Sequence, residues 1–504
     1  MTSSPETVFD LLIAGAGING AGLARDAAGR GLKVLIVDQG DIGGATSSAS
    51  TKLIHGGLRY LEHFAFGLVR ESLAEREILM RIAPHLVREQ RFVIPHAPVQ
   101  RPRWMIRLGL GLYDRLARGS SLRPAEPLNL ANTPLGLPLR PEFTRGFAYS
   151  DLAADDARLT VLNAISAAQL GAQVLTRTKL VGAQRTGSVW RAVLQAADGT
   201  QRECAARILV NAAGPWADTL RRTLVAAGDA PALRLVKGSH LVLPRLYAGD
   251  HAYLLQNNDG RIAFVIPFEN DFNLIGTTEV TLAAPQASPH IDAAEADYLC
   301  SLAGRFFRAS LAPSQAAWSF AGIRALHDDG TGSASAVSRE YRLVADGGAG
   351  EAPLLSIFGG KLTTYRRLAE RVLDRLRPWL PGLRPPWSAQ VHLPGGGLGA
   401  HGLPGLLLEL ARRHPQLPPE LLQSLARRHG TLAARVLGQA QTEAELGTHF
   451  GADLYAAEVD YMSAHEWAQT AEDILWRRTK CGLRIDAAGG SRLAQHLGEM
   501  GGRA

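Results

Sequence analysis

Cysteine and long apolar runs are scarce in this chain of 504 residues. The three cysteines, Cys204, Cys300 and Cys481, are odd in number and far apart, so neither a disulfide framework nor a metal site is predicted from them. No stretch of about 18 uncharged apolar residues occurs, and we predict no transmembrane helix. The first ten residues lack a basic segment, so a signal peptide is not expected. These absences favour a reducing, cytoplasmic compartment.

Charge of one sign is in modest excess. Lys and Arg number 54 against 47 Asp and Glu, which gives a net charge of +7. That balance favours anionic partners such as phosphorylated small molecules, acidic membrane surfaces or nucleic acid. The sequence holds no basic motif interleaved with aromatics of the kind that reads nucleic acid, so no nucleic-acid partner is expected. The 46% hydrophobic content is that of a globular protein.

A glycine-rich turn between apolar segments is the first recognisable motif. Residues 9–14 (FDLLIA) predict a buried strand, residues 21–30 a helix, and residues 33–37 a second strand ending at Asp38. The turn has three glycines in G-x-G-x-x-G spacing: Gly15, Gly17 and Gly20. Such glycines allow a tight turn and a close approach to a pyrophosphate, while the acid bonds ribose hydroxyls. We interpret the motif as a dinucleotide-binding unit; the alternative is a glycine turn of another α/β protein.

Three later segments extend this interpretation. Residues 43–51 (GGATSSAST) offer N–H and O–H donors for a pyrophosphate and a flavin edge, although a flexible linker is the alternative. Residues 208–210 predict a strand that runs into NAAG at 211–214, and LLSIF at 354–358 runs into GGKLTTY. Three strand–glycine–helix junctions predict one cofactor held by a sheet assembled from distant segments.

Eight segments occur in an order and spacing that identify a family. They are GAGINGAG, ATSSAS, KLIHGGLRYLE, NAAGPWAD, KGSH, GTT, AGIR and FGGKLTTYR. The chain resembles the FAD-dependent glycerol-3-phosphate dehydrogenases of the D-amino-acid-oxidase-like flavoprotein superfamily, over essentially its whole length. KLIHGGLRYLE and FGGKLTTYR are the most specific segments. The chain departs from the family pattern at Glu279, where Asp is expected, and at Gly43-Gly44.

The resemblance implies an enzyme that oxidises sn-glycerol 3-phosphate to dihydroxyacetone phosphate. It implies hydride transfer to N5 of FAD and electron transfer to a membrane quinone, either ubiquinone or menaquinone. A homodimer attached peripherally to the inner face of the cytoplasmic membrane is expected. Two alternatives are a peroxide-producing glycerophosphate oxidase and a non-enzymatic flavin-binding regulator.

The expected fold is α/β, with a Rossmann-like FAD-binding domain, an inserted mixed-sheet (α+β) substrate domain and an all-helical C-terminal domain. The predicted limits are 8–85, 150–230 and 352–377 for the FAD-binding domain, 86–149 and 231–351 for the substrate region, 378–402 for a proline-rich linker and 403–504 for the helical domain.

The glycine junctions and the hydroxyl-rich loop supply the candidate cofactor-binding residues. These are Gly15, Gly17, Asn19, Gly20, Asp38, Thr46, Ser47, Ser48, Ser50, Ala212, Gly214, Gly359, Gly360, Lys361, Leu362 and Thr363.

A phosphate dianion favours permanently charged donors, and alcohol oxidation needs a proton acceptor. The candidate substrate-binding residues are Arg59, Tyr60, Thr277, Arg324 and Lys361. His240 is the candidate base, because histidine titrates near neutral pH, and Arg324 and Lys361 are expected to polarise the reacting oxygen. His55 is the competing base. Structural histidines and surface cations remain the alternatives.

Residues 101–118 predict a basic amphipathic helix. Its charged face holds Arg103, Arg107, Asp114 and Arg118, and its apolar face holds Met105, Leu108, Leu112 and Leu116, flanked by Trp104 and Tyr113. Such a helix lies in the headgroup layer of an acidic membrane or docks on its own protein core. Both interpretations stay open from the sequence.

Overall fold

The computed structural model describes residues 7–97, 101–225, 233–257, 261–327, 341–348 and 350–501. The strands in these ranges are β1 (Val8–Ala14), β2 (Val34–Val37), β3 (Leu53–Ile54), β4 (Val87–His96), β5 (Glu126–Asn129), β6 (Arg145–Ala154), β7 (Gln173–Leu175), β8 (Thr178–Thr186), β9 (Val189–Ala196), β10 (Gln201–Asn211), β11 (Leu233–Pro244), β12 (Ala252–Gln256), β13 (Ile262–Phe268), β14 (Phe272–Gly276), β15 (Val280–Leu282), β16 (Trp318–His327), β17 (Arg342–Asp346), β18 (Leu354–Phe358), β19 (His449–Gly451) and β20 (Leu454–Tyr455).

The helices are α1 (Ile18–Gly29), α2 (Phe66–Ile82), α3 (Arg103–Leu116), α4 (Asp156–Gln169), α5 (Ala217–Leu224), α6 (Ala293–Gly304), α7 (Tyr365–Leu376), α8 (Gly402–Arg413), α9 (Pro419–His429), α10 (Ala433–Leu437), α11 (Ala456–Glu466) and α12 (Ala487–Gly501). Single turns of 3-10 helix connect several of them, and Asp473–Thr479 forms a π-helical segment. None of the helices in the described ranges is both long and apolar enough to span a bilayer.

The first sheet has the strand order β17-β18-β10-β1-β2-β7, with the β8–β9 hairpin added at β10. Strands β18, β10, β1, β2 and β7 are parallel. Helices α1, α4 and α7 pack together beside this sheet in the largest core cluster. The apolar sequences of β1 and β2 follow from this covering, because parallel strands buried on both faces need apolar residues at every position.

The second sheet is mixed and has the order β15-β11-β14-β13-β12-β4-β6-β3, with β16 beside β11 and β5 beside β6. Strand β12 runs parallel to β4, and the other named pairs are antiparallel. In the register of β11 with β16, His240 lies opposite Phe320 and Val236 lies opposite Arg324. This pairing brings two predicted site residues onto neighbouring strands.

For three strands, the sheet in which the strand lies does not agree with the predicted domain limits. Strand β3 lies in the predicted segment 8–85 but pairs with β6 in the second sheet, and β6 itself spans the limit at 149/150. Strand β17 lies in the predicted segment 231–351 but pairs with β18 in the first sheet. A strand belongs to the sheet of the strand with which it forms hydrogen bonds. The position of a strand in the sequence does not show which partner that is. The other limits stay predictions.

The C-terminal region is helical except for the β19–β20 hairpin, and it has its own apolar core. Buried charges connect it to the first sheet. Arg158 of α4 donates from Nη2 to Oε1 of Glu466 at 3.0 Å, and both side chains are fully buried. Burial alone raises the pKa of Glu466, but Arg158 and His429 outweigh burial and hold that pKa well below its usual range. Glu466 is therefore a buried anion that depends on Arg158.

Replacing Glu466 with Gln tests this connection. The variant leaves the guanidinium of Arg158 buried without its counter-charge, so we expect the free energy of unfolding to fall by about 3 kcal/mol. Urea denaturation followed by tryptophan fluorescence measures the change. The control is Glu409→Gln, which breaks a pair with Arg413 whose side chains are 53% and 59% exposed and which should cost less than about 0.5 kcal/mol. Equal losses in the two variants would contradict the role given to Glu466.

Candidate active site

A cleft of about 1030 Å³ runs between the two sheets. One end is lined by Asp38 and Lys179, and the other by His240, Thr277 and Arg324. Pockets for drug-sized ligands reach about 1,000 Å³, so this cleft has room for a large cofactor together with a small substrate.

The turn after β1 forms the floor of the cleft. Gly15 has a φ of +108°, and a Cβ atom there would lie 2.5 Å from the carbonyl oxygen of Ala212. A Cβ on Gly20 would lie 1.9 Å from the carbonyl oxygen of Gly15. Both positions therefore require glycine, and the backbone is left open to a ligand at the N-terminus of α1. This cradle suits the pyrophosphate of a dinucleotide.

Asp38 follows β2 at the edge of the same cleft. Its Oδ2 accepts a hydrogen bond from the N–H of Ala16 at 2.7 Å, and its Oδ1 accepts one from the N–H of Gly40 at 2.8 Å. Burial raises the pKa of Asp38, and these two hydrogen bonds counteract that effect. The carboxylate is thus held in a fixed orientation where ribose hydroxyls are expected.

The hydroxyl-rich loop is held in place from several sides. Ser47 Oγ accepts from the N–H of Ile18 at 2.9 Å, and Thr46 donates to the carbonyl oxygen of Ile323 at 2.7 Å. Ser50 donates to Asp156 at 2.7 Å. Because helices α1 and α4, beside the first sheet, and strand β16 of the second sheet supply these contacts, the loop is a fixed wall of the cleft and the flexible-linker alternative does not apply.

The third glycine junction closes the cleft from the other side. Gly359 and Gly360 have φ values of +82° and +105°, and the Nδ2 of Asn19 donates to the carbonyl oxygen of Gly359 at 3.1 Å. Within the described residues, the buried Oδ1 of Asn19 has no hydrogen-bond partner. A buried polar atom without a partner is costly, so this amide points to a ligand group.

Most of the predicted cofactor-binding residues line the cleft. Those that do are Gly15, Gly17, Asn19, Asp38, Thr46, Ser47, Ser50, Ala212, Gly214, Gly359, Gly360, Lys361, Leu362 and Thr363. The two others lie beside it: Gly20 packs against Gly15, and Ser48 donates to the carbonyl oxygen of Ala45 at 3.3 Å.

His240 and Arg324 stand at the opposite end, on one face of the β11–β16 pair. His240 Nε2 shares a hydrogen bond with the hydroxyl of Thr51 at 2.9 Å, and its ring stacks on Phe320 with 4.8 Å between centroids. The guanidinium of Arg324 donates to the carbonyl oxygen of Thr278 at 3.1 Å and lies 3.6 Å from Glu279. Both side chains are therefore fixed before any substrate binds.

Two glycines make the space between these side chains. Gly238 and Gly322 face each other in the register between His240 and Arg324, and alternate strand residues share a face. A Cβ on Gly238 would lie 2.6 Å from the hydroxyl oxygen of Thr277, and one on Gly322 would lie 2.9 Å from the carbonyl oxygen of Ala49. Gly322 therefore lets the hydroxyl-rich loop approach the second sheet closely, and Gly238 leaves room for the hydroxyl of Thr277.

The remaining predicted substrate residues whose side chains are described line the same cleft. The Nζ of Lys361 lies 3.7 Å above the ring of Tyr60, a cation–π distance. Thr277 and His55 line the cleft as well. Arg59 lies in the 3-10 segment Leu58–His63, and its side chain is outside the part of the chain that the structure describes.

Burial determines the protonation state of His240. It lowers the pKa of His240 to about 3, with further lowering by the positive charges of Lys52 and Arg324. The imidazole is therefore neutral at pH 7 before a ligand binds in the cleft.

Several cleft residues were missed by sequence reasoning. Thr51 belongs to the hydroxyl-rich loop, but its pairing with His240 depends on the contact between two sheets. Gln256 and Arg261 line the substrate end and stand in no recognisable motif. Glu472 and Arg477 reach the cleft from the C-terminal region, far in sequence from every predicted cofactor-binding segment.

Residues 10–366 match the family model described as FAD dependent oxidoreductase, and residues 388–500 match the C-terminal domain of alpha-glycerophosphate oxidase. The chain belongs to the FAD-dependent oxidoreductases. The predicted cofactor is thereby confirmed as FAD, and the glycine cradle, Asp38 and the unpartnered Asn19 oxygen fit it.

Curated relatives agree over nearly the whole chain. The chain is 49% identical over 490 residues to a glycerol-3-phosphate dehydrogenase of Pseudomonas aeruginosa, covering 97% of this chain and 95% of that protein. It is 45% identical over 487 residues to a D-erythritol 1-phosphate dehydrogenase of Brucella abortus, covering 96% and 97%. These relatives confirm the resemblance that the sequence motifs indicated.

A solved structure shares the fold. The glycerol-3-phosphate dehydrogenase of Bacillus halodurans in complex with FAD superposes with a TM-score of 0.77 at 28% identity, covering 99% of this chain and 90% of that one. The predicted fold class is therefore confirmed.

The lowered pKa of His240 predicts an acid sensitivity with a definite sign. Unfolded histidine has a pKa near 6.5, so the unfolded chain binds one more proton at this residue between about pH 3 and 6.5. The stabilisation that comes from burying the neutral ring is fully present above pH 6.5. Below pH 6.5 the free energy of unfolding decreases, by about 1.4 kcal/mol per pH unit. In the variant His240→Gln, urea denaturation in saturating FAD should show a shallower fall of stability between pH 6.5 and 4.5.

His290→Gln is the matched control, because His290 is exposed and should leave the pH dependence unchanged. The same slope in the parent protein and in His240→Gln would show that His240 is not held neutral by burial.

Proposed function

We propose that this flavoprotein oxidises sn-glycerol 3-phosphate to dihydroxyacetone phosphate. The proposal rests on two observations: His240, Arg324 and Lys361 all line the FAD cleft, and His240 and Arg324 share one face of the β11–β16 pair. A substrate with a phosphate dianion and a secondary alcohol needs both cationic donors and a neutral proton acceptor. The relative from Pseudomonas aeruginosa, named for this substrate, supports the choice.

Arg324 and Lys361 are the proposed phosphate ligands, and Arg59 is added from the sequence pattern. Arg324 has a permanently charged planar fork suited to phosphate oxygens. Its contact to the carbonyl oxygen of Thr278 and its proximity to Glu279 hold the guanidinium beside Gly238, at the wall of the cleft. The side chain thus needs little reorganisation to receive a phosphate.

His240 is the proposed acceptor of the hydroxyl proton. Its neutral ring, in contact with the Thr51 hydroxyl, takes the proton from the C2 oxygen as the C2–O bond becomes a carbonyl. A phosphate dianion against Arg324 offsets one of the two cations that lower the pKa of His240, so substrate binding makes the imidazole more basic. FAD, when bound, accepts the hydride from C2 and passes both electrons to a further acceptor.

A membrane quinone is the acceptor we propose, reached through an apolar patch beside the cleft. Helix α3 docks on the core through Ile106, Leu110 and Tyr113, whose hydroxyl donates to Asp151 at 2.7 Å. Tyr113, expected to flank the apolar face of this helix, lies in the protein core. The exposed apolar patch comprises Phe64, Trp104, Met105 and Leu108.

This patch supports peripheral attachment at the inner face of the cytoplasmic membrane. Trp104 and Leu108 are each 66% exposed and Phe64 is 77% exposed, and the basic residues Arg103 and Arg107 share helix α3 with them. Apolar side chains with arginines suit an anionic headgroup layer. The segment Leu58–His63 contacts α3 and includes Tyr60, which lines the cleft; this contact supports a patch close to the proposed reaction site.

Anaerobic addition of sn-glycerol 3-phosphate to the purified holoenzyme should bleach its visible flavin absorbance, whereas glycerol should not. D-Erythritol 1-phosphate, the substrate named for the Brucella abortus relative, is the decisive competitor. A spectrophotometric titration with the three compounds makes the comparison. Faster bleaching by D-erythritol 1-phosphate would reassign the substrate, and a flavin that stays oxidised with both phosphates would refute the proposal.

The variant Arg324→Ala tests whether the substrate phosphate binds to Arg324 in the cleft. Loss of a charged phosphate contact should lower kcat/KM about 100-fold, equal to ~2.7 kcal/mol of transition-state stabilisation. Arg140→Ala is the control, since Arg140 is exposed and donates to the carbonyl oxygen of Gly304 at 2.9 Å. A decrease confined to Arg324→Ala is expected.

Membrane attachment has its own test in Leu108→Glu. Placing a carboxylate in the apolar patch should weaken binding to phosphatidylglycerol vesicles by about tenfold or more, because apolar burial is lost and like charges repel. Vesicle co-sedimentation measures the binding. Leu408→Glu is the matched control, since Leu408 on α8 is 64% exposed. Similar losses from both variants, or no binding by the parent protein, would remove the patch from the proposal.

A further inference from the structure

The C-terminal region reaches the FAD cleft at its π-helical segment, Asp473–Thr479. Arg477 and the preceding Glu472 line the cleft together with Asp38, Gly40 and Asp41. The last three belong to residues 38–44, which follow β2 and are here named the β2 loop. The C-terminal region thus forms part of the cleft wall at the end where Asp38 stands, distant in sequence from every glycine junction.

Two arginines of the π-helical segment hold the β2 loop through one carboxylate. Asp41 Oδ2 accepts from Nε of Arg477 at 2.7 Å and from Nη1 of Arg478 at 2.7 Å, and its Oδ1 accepts from Nη2 of Arg478 at 2.8 Å. Asp41 is only 5% exposed, and the side chain of Arg478 is fully buried. Charged hydrogen bonds of this kind are short and directional, so they fix the position of the loop.

Arg177, in the turn between β7 and β8, links the same loop to the π-helical segment. Its backbone N–H donates to the carbonyl oxygen of Gly40 at 2.8 Å, and its Nη2 lies 2.5 Å from Oδ2 of Asp473. Asp473 also accepts from the backbone N–H groups of Gln469 and Thr470, at 2.8 and 2.9 Å. The π-helical segment is therefore a preformed unit that closes around residues 40 and 41.

The β2 loop determines where the Asp38 carboxylate points. The N–H of Gly40 donates to Oδ1 of Asp38 at 2.8 Å, so a shift of residues 40 and 41 turns that carboxylate. An acid at this position binds ribose hydroxyls of the dinucleotide. A continuous series of contacts thus leads from Arg477 and Arg478, through Asp41, to the residue expected to bind the adenosine half of FAD.

We propose that the C-terminal region is an integral part of the FAD site, with Arg477 and Arg478 as positioning residues that act through Asp41. FAD binding and docking of the π-helical segment then stabilise each other. Because linkage is reciprocal, breaking the Asp41 contacts weakens FAD binding, and FAD makes the π-helical segment open less often. The proposal concerns the cofactor alone and does not depend on which alcohol is oxidised.

The first experiment measures FAD dissociation from the Arg477→Ala holoenzyme by the rise of free-flavin fluorescence on dilution. Arg477 is the better target, because its side chain is 12% exposed and its removal leaves Arg478 to neutralise Asp41. The dissociation constant should rise roughly tenfold, within the range usual for coupled sites. Arg477→Lys keeps one charge and should recover part of the affinity, which general misfolding would not reproduce.

Arg484→Ala is the matched control. Arg484 also belongs to the C-terminal region and pairs across a domain contact, with Asp271 at 2.7 Å, but on the second sheet. Its loss should leave FAD affinity unchanged. Unaltered affinity in Arg477→Ala overturns the proposal, and so does an equal loss in Arg484→Ala, which would indicate general loosening of the C-terminal region.

Hydrogen exchange in the parent protein gives a second measurement that needs no variant. Amide exchange within Asp473–Thr479 should be at least several-fold slower with FAD bound than in the apoprotein. The helix α12, which has no residue lining the cleft among the described ones, provides the internal reference. Equal exchange of the π-helical segment with and without FAD overturns the proposal.

Discussion

The parallel pairing of β10 with β1 on one side and β18 on the other is the constraint on which the rest of the molecule depends. Parallel strands present their carboxyl ends at one edge of the sheet, where ligands bind. The register joins Ala14 to Asn211 and Asn211 to Ser356, so the glycine junctions that follow these strands meet although most of the chain separates them. Since even a Cβ on Gly15 would collide with Ala212, the cofactor cradle is made of backbone.

The second sheet gives the cleft its chemical asymmetry. Alternate residues of β11 and β16 face the cleft, and the opposed glycines Gly238 and Gly322 separate His240 from Arg324. Two consequences follow from one register: Arg324 stands on the face that also carries His240, and the histidine is buried deeply enough to stay neutral at pH 7. A shift of the register by one residue would turn both side chains to the opposite face.

Sequence reasoning predicted the parts of the site whose geometry is local. Gly15, Gly17 and Gly20 belong to one turn, and Asp38 ends the strand that follows it, so the spacing alone indicates their roles. The resemblance added Arg324 and Lys361, which no local pattern distinguishes from surface cations.

The contacts that sequence reasoning missed are those made between separately folded segments. Thr51 meets His240 because two sheets pack together, and Arg477 meets Asp41 because the C-terminal region docks on the first sheet. In helix α3, too, the sequence alone did not predict which residues are buried. Its sequence holds two apolar stripes, and only tertiary packing decides that Tyr113 is buried while Leu108 is exposed.

The docking of the C-terminal region through buried charges has a physical consequence of its own. Ion pairs such as Arg158 with Glu466 contribute little net stability, because desolvation offsets their attraction, but a mismatched pair is strongly penalised. An interface built this way allows few alternative orientations. An apolar interface of the same size tolerates sliding, which would move Arg477 and Arg478 away from Asp41. The charged interface therefore fixes the position of the β2 loop. A cofactor site built from two regions of the chain requires the two regions to keep one relative position.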